Sequence, residues 1–373
     1  MRLLNRSGMT AGYTLGMDPT GRESVVVAVK GTFVIPARGD EPAHLADEQV
    51  PLIEADAFTG EPGFSAPLYE ADYAPIKPCC DVLLVGSAYA PGGEPVERVR
   101  VGLKVGPIEK LMTVYGERVW VATGTGFLSS RALPFTKRPI SYDIAFGGVD
   151  RAHPDESRHD AYLANPVGIG FHKVLDKSFV EGASAPSTEA CDDPVRRPDG
   201  RYRPMAFGPV GRGWSSRIVH GGTYDDAWLE NTFPFLPADF DERYHQCAPE
   251  DQQMPYPTGG ETVTLLNLTP EGRCRFSLPA RRVPVCFFRD GADRVEKEAV
   301  IDTLVIEPDA GRFTMTWRAS LPLRRNLFEI PEILVGTATR GWWRARELGK
   351  TWYPSLDAVV RKSVYEDEAE EET

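Results

Sequence analysis

The fold of this chain is decided by residues 97–122, ERVRVGLKVGPIEKLMTVYGERVWVA. Val99, Val101, Leu103 and Val105 alternate with charged or small residues, so the first strand of this stretch has one apolar face and one polar face. Gly-Pro and Gly-Glu pairs divide the stretch into three short strands. Connections this short join antiparallel strands, because a parallel crossover needs a dozen or more residues. The stretch therefore predicts an antiparallel sheet with one solvated face.

Strand patterns continue on both sides of this stretch. A β-branched run at 24–35 predicts a buried strand, and residues 262–278 and 303–319 each predict a hairpin. The two hairpins turn at Pro270-Glu271-Gly272 and at Pro308-Asp309-Ala310-Gly311, which carry typical turn residues. With 35 Gly and 32 Pro spread through 373 residues, long helices are disfavoured. Short helices are predicted near 225–230, 340–348 and 356–364.

These patterns predict a mainly β fold, with antiparallel hairpins packed as sandwich-like sheets, a few short helices and long irregular loops. Strand should exceed helix by at least about two to one. The predicted organisation is a β-rich N-terminal half (1–150), a loop-rich excursion or linker (151–203), a β-rich C-terminal half (204–348) and a C-terminal extension (349–373).

Charge and composition indicate which partners the chain can have. The formal net charge is −12, and the tail 366–373 contributes six of the negative charges. An acidic chain without a basic cluster is not expected to bind nucleic acid. The sequence has no apolar run of membrane-spanning length and no signal-peptide core, and its six cysteines are scattered, so a cytoplasmic location with reduced thiols is expected. The tail is expected to be solvated and dispensable for folding.

An aromatic and acidic stretch lies in the middle of the chain, TYDDAWLENTFPFLPADFDERYHQCAPEDQQMPY at 223–256. Its prolines exclude a continuous helix, and its seven aromatic residues argue against disorder. We expect an ordered, irregular band around the body of the protein, with most rings inward and a minority outward. The candidate partner-binding residues are Trp228, Phe235, Asp239, Phe240, Asp241, Glu242 and Tyr244.

The sequence offers little evidence of catalysis. No phosphate loop, dinucleotide fingerprint or metal-ligand spacing is found, so no metal and no cofactor are expected. His220 with Asp225 or Asp226 could activate Ser215 or Ser216, which would make residues 205–256 the site of a hydrolase-type enzyme. The more economical interpretation of Asp225-Asp226 is a helix N-cap followed by an acidic first turn.

Several segments together resemble a known bacterial family, the domain-of-unknown-function family 2169 (DUF2169). The segments are KRPISYDIAFGG at 137–148, NPVGIGF at 165–171, FGPVGRGW at 207–214, GTYDDAWL at 222–229, LPADF at 236–240 and YHQCAPEDQ at 244–252. The resemblance implies an adaptor or effector chaperone of type VI secretion. Its partners would be an effector with a PAAR-like domain and the trimeric spike protein. No catalytic or binding residue can be transferred from the family.

Overall fold

A computed structural model describes residues 1–39, 41–289, 293–353 and 355. Of the described residues, 37% lie in strands and 13% in helices. The predicted mainly β class is therefore confirmed, and so is the predicted excess of strand over helix. No helix within the described ranges is long and apolar enough to cross a membrane.

The first 150 residues supply fourteen of the strands. They are β1 (Arg2–Asn5), β2 (Thr10–Met17), β3 (Glu23–Val34), β4 (Ala57–Phe58), β5 (Pro67–Tyr69), β6 (Cys80–Leu84), β7 (Ser87–Tyr89), β8 (Arg98–Val105), β9 (Ile108–Tyr115), β10 (Arg118–Thr123), β11 (Gly126–Ser129), β12 (Lys137–Pro139), β13 (Phe146–Gly147) and β14 (Val149–Asp150).

The remaining strands lie between residues 160 and 335, and the four α-helices are short. The strands are β15 (Asp160–Ala161), β16 (Ile169–Gly170), β17 (Ser184–Ala185), β18 (Thr188–Ala190), β19 (Gln253–Met254), β20 (Thr262–Leu266), β21 (Arg273–Ser277), β22 (Pro284–Phe288), β23 (Arg294–Glu298), β24 (Val300–Glu307), β25 (Arg312–Pro322) and β26 (Glu332–Val335). The α-helices are α1 (Lys177–Val180), α2 (Ser215–Ile218), α3 (Asp226–Asn231) and α4 (Arg340–Glu347). Single 3₁₀ turns lie at Pro91–Gly93, Tyr142–Ile144, Glu156–Arg158, Glu242–His245, Glu250–Gln252, Pro308–Ala310 and Leu327–Glu329.

The largest sheet has six strands in the order β19-β6-β24-β25-β3-β2. Its neighbouring strands are antiparallel except β6 and β24, which run parallel. In β3 every residue from Val25 to Phe33 is buried, as expected of a strand covered on both faces. On the edge strand β2, by contrast, Tyr13 and Leu15 are exposed.

A second sheet has five antiparallel strands in the order β18-β9-β8-β20-β21. The inward residues of β8 belong to the same hydrophobic cluster as those of β3, so the two sheets share one core. Of the outward residues of β8, Arg98, Arg100 and Lys104 are exposed and Gly102 is covered, so the predicted alternation is confirmed for the charged positions. The predicted sandwich-like arrangement follows from this shared core.

Strands from the two ends of the chain pair directly. β1 is parallel to β26 in a four-stranded sheet with β22 and β23. The six-stranded and five-stranded sheets also each combine strands from before residue 150 with strands from after residue 204. Residues 151–203 add a smaller cluster around Trp120 and Phe146. The β-rich segments before and after this excursion are thus interleaved in common sheets.

Both predicted hairpins are present. β20 pairs with β21 and β24 pairs with β25, at the expected turns. The helices predicted near 225–230 and 340–348 correspond to α3 and α4. The helix predicted at 356–364 and the tail at 366–373 lie outside the described residues.

Candidate interaction surface

The aromatic stretch separates into two parts with opposite surroundings. Residues 223–245, which we call the aromatic loop, contain no residue that is buried except Pro237. Residues 246–256, which we call the anchor, contain the buried residues Gln246, Cys247, Ala248, Gln252 and Met254. The loop therefore lies on the surface, and the anchor holds it to the body.

The prediction that most rings point inward is wrong. Tyr224, Phe233, Phe235 and Tyr256 are exposed, and Phe233 is 62% exposed. The other three rings of the stretch, Trp228, Phe240 and Tyr244, are half-buried. The reason is that the rings pack on one another and on the rim of the body, while backbone and polar groups of the anchor enter the interior. The stretch is irregular, as expected, but most of its rings do not cover the core.

Trp228 is the centre of a small aromatic cluster on helix α3. The Trp228 ring lies edge-on to Tyr224 at 4.7 Å and to Phe233 at 5.6 Å between ring centroids. Its indole Nε1 donates a hydrogen bond of 3.0 Å to the carbonyl of Phe235. Asp225 caps the helix by accepting from the Trp228 amide at 2.8 Å. These contacts fix the rings without removing them from water.

Phe235 joins the loop to the turn between β2 and β3. Gly21 in that turn has a φ of +80°, and a Cβ built on it would stand 2.8 Å from the Phe235 ring. The ring therefore lies flat on a position that needs glycine both for its backbone and for its missing side chain. The outer side of Phe235 stays 45% exposed.

The acids of the loop organise its backbone. Asp239 accepts from the Thr223 amide at 3.0 Å and from the Thr223 hydroxyl at 2.7 Å, bonds that lower the pKa of its carboxyl. Asp241 caps the 3₁₀ turn through the Arg243 amide at 2.9 Å, and the Arg243 guanidinium lowers the pKa of Asp241 to about 2. Glu242 is exposed in the first position of that turn. With six acids and one arginine, the aromatic loop carries a net charge of −5.

Arg217 of helix α2 clamps the loop to the body. This guanidinium is 3% exposed and forms two hydrogen bonds, of 2.7 and 3.0 Å, with the Glu70 carboxylate. It also donates to the carbonyls of Val210 and Tyr244. Its guanidinium carbon lies 5.5 Å from the centre of the Tyr244 ring. Tyr244 is therefore held by its backbone and by its ring at once.

Asp81 on strand β6 holds the anchor. Its buried carboxylate accepts from Lys77 Nζ at 2.7 Å, from Gln246 Nε2 at 2.6 Å, and from the amides of Cys247 at 2.9 Å and Ala248 at 3.2 Å. Burial alone disfavours the ammonium ion of Lys77, but Asp81 and neighbouring anionic groups keep the pKa of Lys77 above its ordinary value. One buried charge pair thus fixes the start of the anchor.

All seven candidate residues lie on the aromatic loop, but they differ in exposure and in the contacts that they make. Phe235 is exposed, Trp228, Phe240 and Tyr244 are half-buried, and the three acids mostly serve the loop's own turns. The most exposed apolar residues in this region are not among the seven candidates; they are Ile218, Val219, Tyr224, Leu229 and Phe233. The sequence does contain features that could have pointed to two of these places. The apolar pair Ile218-Val219 lies shortly before Gly221-Gly222, and Phe233 stands next to a proline.

His245 gives the loop a specific pH dependence. Burial, followed by the positive charges of Arg217 and Arg212, lowers its pKa to about 4, from an ordinary value of 6.5. The unfolded chain therefore binds a proton on His245 below about pH 6.5, whereas the folded chain binds it only near pH 4. The stabilisation provided by neutral His245 is complete above pH 6.5 and is lost as the pH falls from 6.5 to 4.

We expect His245→Phe to flatten the acid side of the stability curve. Between pH 7 and pH 4.5, the free energy of unfolding should fall by about 2 kcal/mol less in His245→Phe than in the native chain. Urea unfolding at several pH values measures this difference. His44→Gln, at an exposed position, is the control and should follow the native curve. Parallel curves for the native chain and His245→Phe would contradict the assignment to His245.

The residues considered for a hydrolase site have other contacts. Asp225 caps α3, and His220 Nδ1 lies 3.7 Å from Asp241 Oδ2. Among the described hydrogen bonds, neither Ser215 nor Ser216 has its hydroxyl bound to His220. Ser216 does line an open cleft of about 630 Å³ with Tyr142 and Arg203.

The buried thiol of Cys247 is poorly suited to act as a nucleophile. Burial, with the negative charge of Asp81, raises the pKa of Cys247 well above its ordinary value, so this thiol stays protonated and weakly nucleophilic. Cys247 lines a cavity of about 210 Å³ together with Lys77 and Thr303. In the part of the chain that the structure describes, no three His, Cys, Asp or Glu side chains are placed to hold a metal ion.

Comparison with known proteins assigns the chain to a family. No curated protein and no solved structure matches the chain. A family model described as an uncharacterized protein conserved in bacteria, DUF2169, matches residues 20–318. The match covers most of the chain, including the largest sheet except its edge strand β2 and the end of β25, the aromatic loop and the anchor. The chain belongs to the DUF2169 family.

Proposed function

We propose that this chain is a non-enzymatic adaptor, a chaperone that binds an effector of bacterial type VI secretion and helps to load it onto the secretion spike. Its partners would be an effector with a PAAR-like domain and the trimeric spike protein, and its place of action the cytoplasm of the producing cell. The sequence resemblance to the family motivates this assignment. The observation that carries it is the aromatic loop, where Tyr224, Phe233 and Phe235 are exposed although the backbone is firmly held.

Exposed rings on a rigid support are suited to binding a protein. Aromatic side chains supply most interface hot spots, and they bind best where little order has to be gained on association. Here the cluster of Tyr224, Trp228 and Phe233 is fixed by its own contacts, and Arg217 and Asp81 fix the backbone below it. A surface of this kind presents apolar area that a partner can cover.

The charge of the aromatic loop indicates the character of the partner surface. A net charge of −5 around exposed rings favours a surface with basic residues around an apolar centre. Charges at the rim act mainly on the rate of association and its dependence on salt. The loop would therefore bind a basic, apolar region of the effector.

The expected result is that truncating exposed rings weakens binding without weakening the fold. Tyr224→Ala and Phe233→Ala should lower the affinity for the effector by at least about 2 kcal/mol each, and the free energy of unfolding by no more than about 0.5 kcal/mol. Half-buried Trp228, Phe240 and Tyr244 should affect both quantities when truncated. Asp239, Asp241 and Glu242, replaced by their amides, should slow association. The measurements are thermal unfolding and calorimetric titration with a candidate effector that carries a PAAR-like domain.

Two exposed phenylalanines outside the loop provide matched controls. Phe64 is 73% exposed and Phe328 is 85% exposed, so their truncation removes the same apolar group from other surfaces. Both variants should bind as the native chain does. If every variant with weaker binding is destabilised in proportion, the loop is scaffolding and not the binding surface. If catalytic amounts of the chain transform the effector without a stable complex, the hydrolase alternative replaces the adaptor.

A further inference from the structure

The outward side of the five-stranded sheet carries a charge opposite to that of the aromatic loop. We call the outward side of β8, β9, β20 and β21 the basic face. Its charged residues are five cations, Arg98, Arg100, Lys104, Arg273 and Arg275, and one acid, Glu109. The whole chain has 54 acidic and 42 basic residues, so this face departs from the average composition.

The strand register arranges this face in rows. Leu111, Gly102, Leu266 and Arg273 are successive neighbours across β9, β8, β20 and β21. The next row contains Glu109, Lys104, Thr264 and Arg275 in the same strand order. Neighbouring strands are about 4.8 Å apart, so each row extends over roughly 14 Å.

The centre of the basic face is a shallow apolar spot. A Cβ on Gly102 would stand 2.6 Å from the Leu111 side chain and 3.6 Å from Leu266, so the two leucines close over the glycine. Leu111 is 40% exposed and Leu266 is 36% exposed. An apolar spot surrounded by cations has the anatomy of a protein interface, with an apolar centre and a polar rim.

Most cations of the basic face lack an acidic partner among the residues that the structure describes. Lys104 is paired with Glu109 at 2.6 Å. No ion pair between described residues includes Arg98, Arg100, Arg273 or Arg275. No described acid therefore neutralises these four arginines, and the described part of the chain leaves their charges to attract an anionic group.

We propose that the basic face is a second docking surface, which binds an acidic segment of a partner protein with an apolar side chain over Leu111 and Leu266. The existence of this surface is independent of the proposed function, and only the identity of the partner as a secretion component rests on it. An adaptor needs two separate surfaces to hold two proteins at once. Surfaces of opposite charge would keep the two partners from exchanging places.

A protein fits this face better than a nucleic acid does. Single strands are bound through exposed aromatic platforms. The aromatic residue of the face is Tyr115, which is half-buried beneath the guanidinium of Arg118, 3.9 Å from its ring centre. The chain's net charge of −12 also opposes a long polyanion, whereas a short acidic segment meets chiefly the local field of the arginines.

The experiment uses the full chain and three labelled probes, with binding measured by fluorescence anisotropy. The probes are a short peptide of glutamates with two central leucines, the same peptide with glutamine for glutamate, and a single-stranded DNA of similar length. We expect the acidic peptide to bind, more weakly as salt is raised, and the glutamine peptide not to bind. Arg100→Gln with Arg275→Gln should weaken binding at least about tenfold, and Leu266→Gln several-fold.

The controls separate this face from general electrostatics and from folding. Arg158→Gln with Arg325→Gln removes two exposed arginines elsewhere and should leave peptide binding unchanged. Arg100→Glu with Arg275→Glu should bind a lysine counterpart of the peptide more tightly than the native chain does, and circular dichroism of the same sample should show that the variant is folded. Ring truncations in the aromatic loop should not change peptide binding, so the two surfaces can fail separately.

Four results would overturn the proposal. The first is no binding of the acidic peptide at low salt, and the second is equal loss in the control variant. The third is DNA binding as tight as peptide binding with the same dependence on Arg100 and Arg275, which would make the ligand a nucleic acid. The fourth is a large gain in peptide affinity when the six tail acids at 366–373 are neutralised, which would make the chain's own tail the occupant.

Discussion

Replacing Asp81 with asparagine is expected to lower the free energy of unfolding by about 3–5 kcal/mol, the range for breaking a buried ion pair. The substitution keeps the shape but removes the charge that compensates Lys77, which is 4% exposed. It also turns one oxygen acceptor into a donor that faces the Cys247 amide or Lys77 Nζ. Denaturation by urea, followed by circular dichroism, measures the loss.

The companion variants show whether charge is the cause. Asp47→Asn, at an exposed position, should stay within about 0.5 kcal/mol of the native chain. Lys77→Met combined with Asp81→Asn should recover part of the loss, because no uncompensated buried charge remains. If the double variant is as unstable as the sum of the single variants, Asp81 acts through its hydrogen bonds to the anchor and not through Lys77.

Replacing Arg217 with alanine is expected to lower the free energy of unfolding by about 3 kcal/mol and to weaken effector binding together with it. The value lies at the low end for a buried ion pair because Glu70 retains a 2.6 Å contact with Arg212. The loss has a second part, since the carbonyls of Val210 and Tyr244 lose their buried donor. Tyr244 is then held only by its neighbours in the loop.

Two measurements distinguish this role from a general loss of stability. Arg212→Ala should cost less, because the Arg212 side chain is 40% exposed and does not contact the Tyr244 carbonyl. Hydrogen exchange in Arg217→Ala should increase first in residues 240–245, while exchange in β3 and β25 stays slow. Equal acceleration in the sheets and in the loop would contradict the clamp that we assign to Arg217.

The candidate surface was only partly predictable from the sequence. The clustering of rings and acids marked the region, and the N-cap role of Asp225 followed from local capping chemistry. Whether each ring points inward or outward could not be predicted from local sequence. An irregular stretch has no period that relates one residue's orientation to the next, so burial of its rings depends on what lies beneath them. The anchor lies beneath the aromatic loop, and most rings of the loop therefore stay at the surface.

By itself the sequence determined the local features. The alternation in residues 98–105 settled which side chains of β8 face the core and which face water. The turn residues at 269–272 and 308–311 settled two hairpins, because those residues favour tight reversals whatever surrounds them. Only the tertiary structure decided which distant residues meet. The pairing of β8 with β20 collects the cations of separate strands, among them Arg100 and Arg275, on one face. The contact of Asp81 with the anchor likewise joins positions about 165 residues apart. The alternation of apolar and polar residues indicates which side of a strand faces the core. Which strands become neighbours depends on the packing of the whole core, and no single stretch of sequence contains that information.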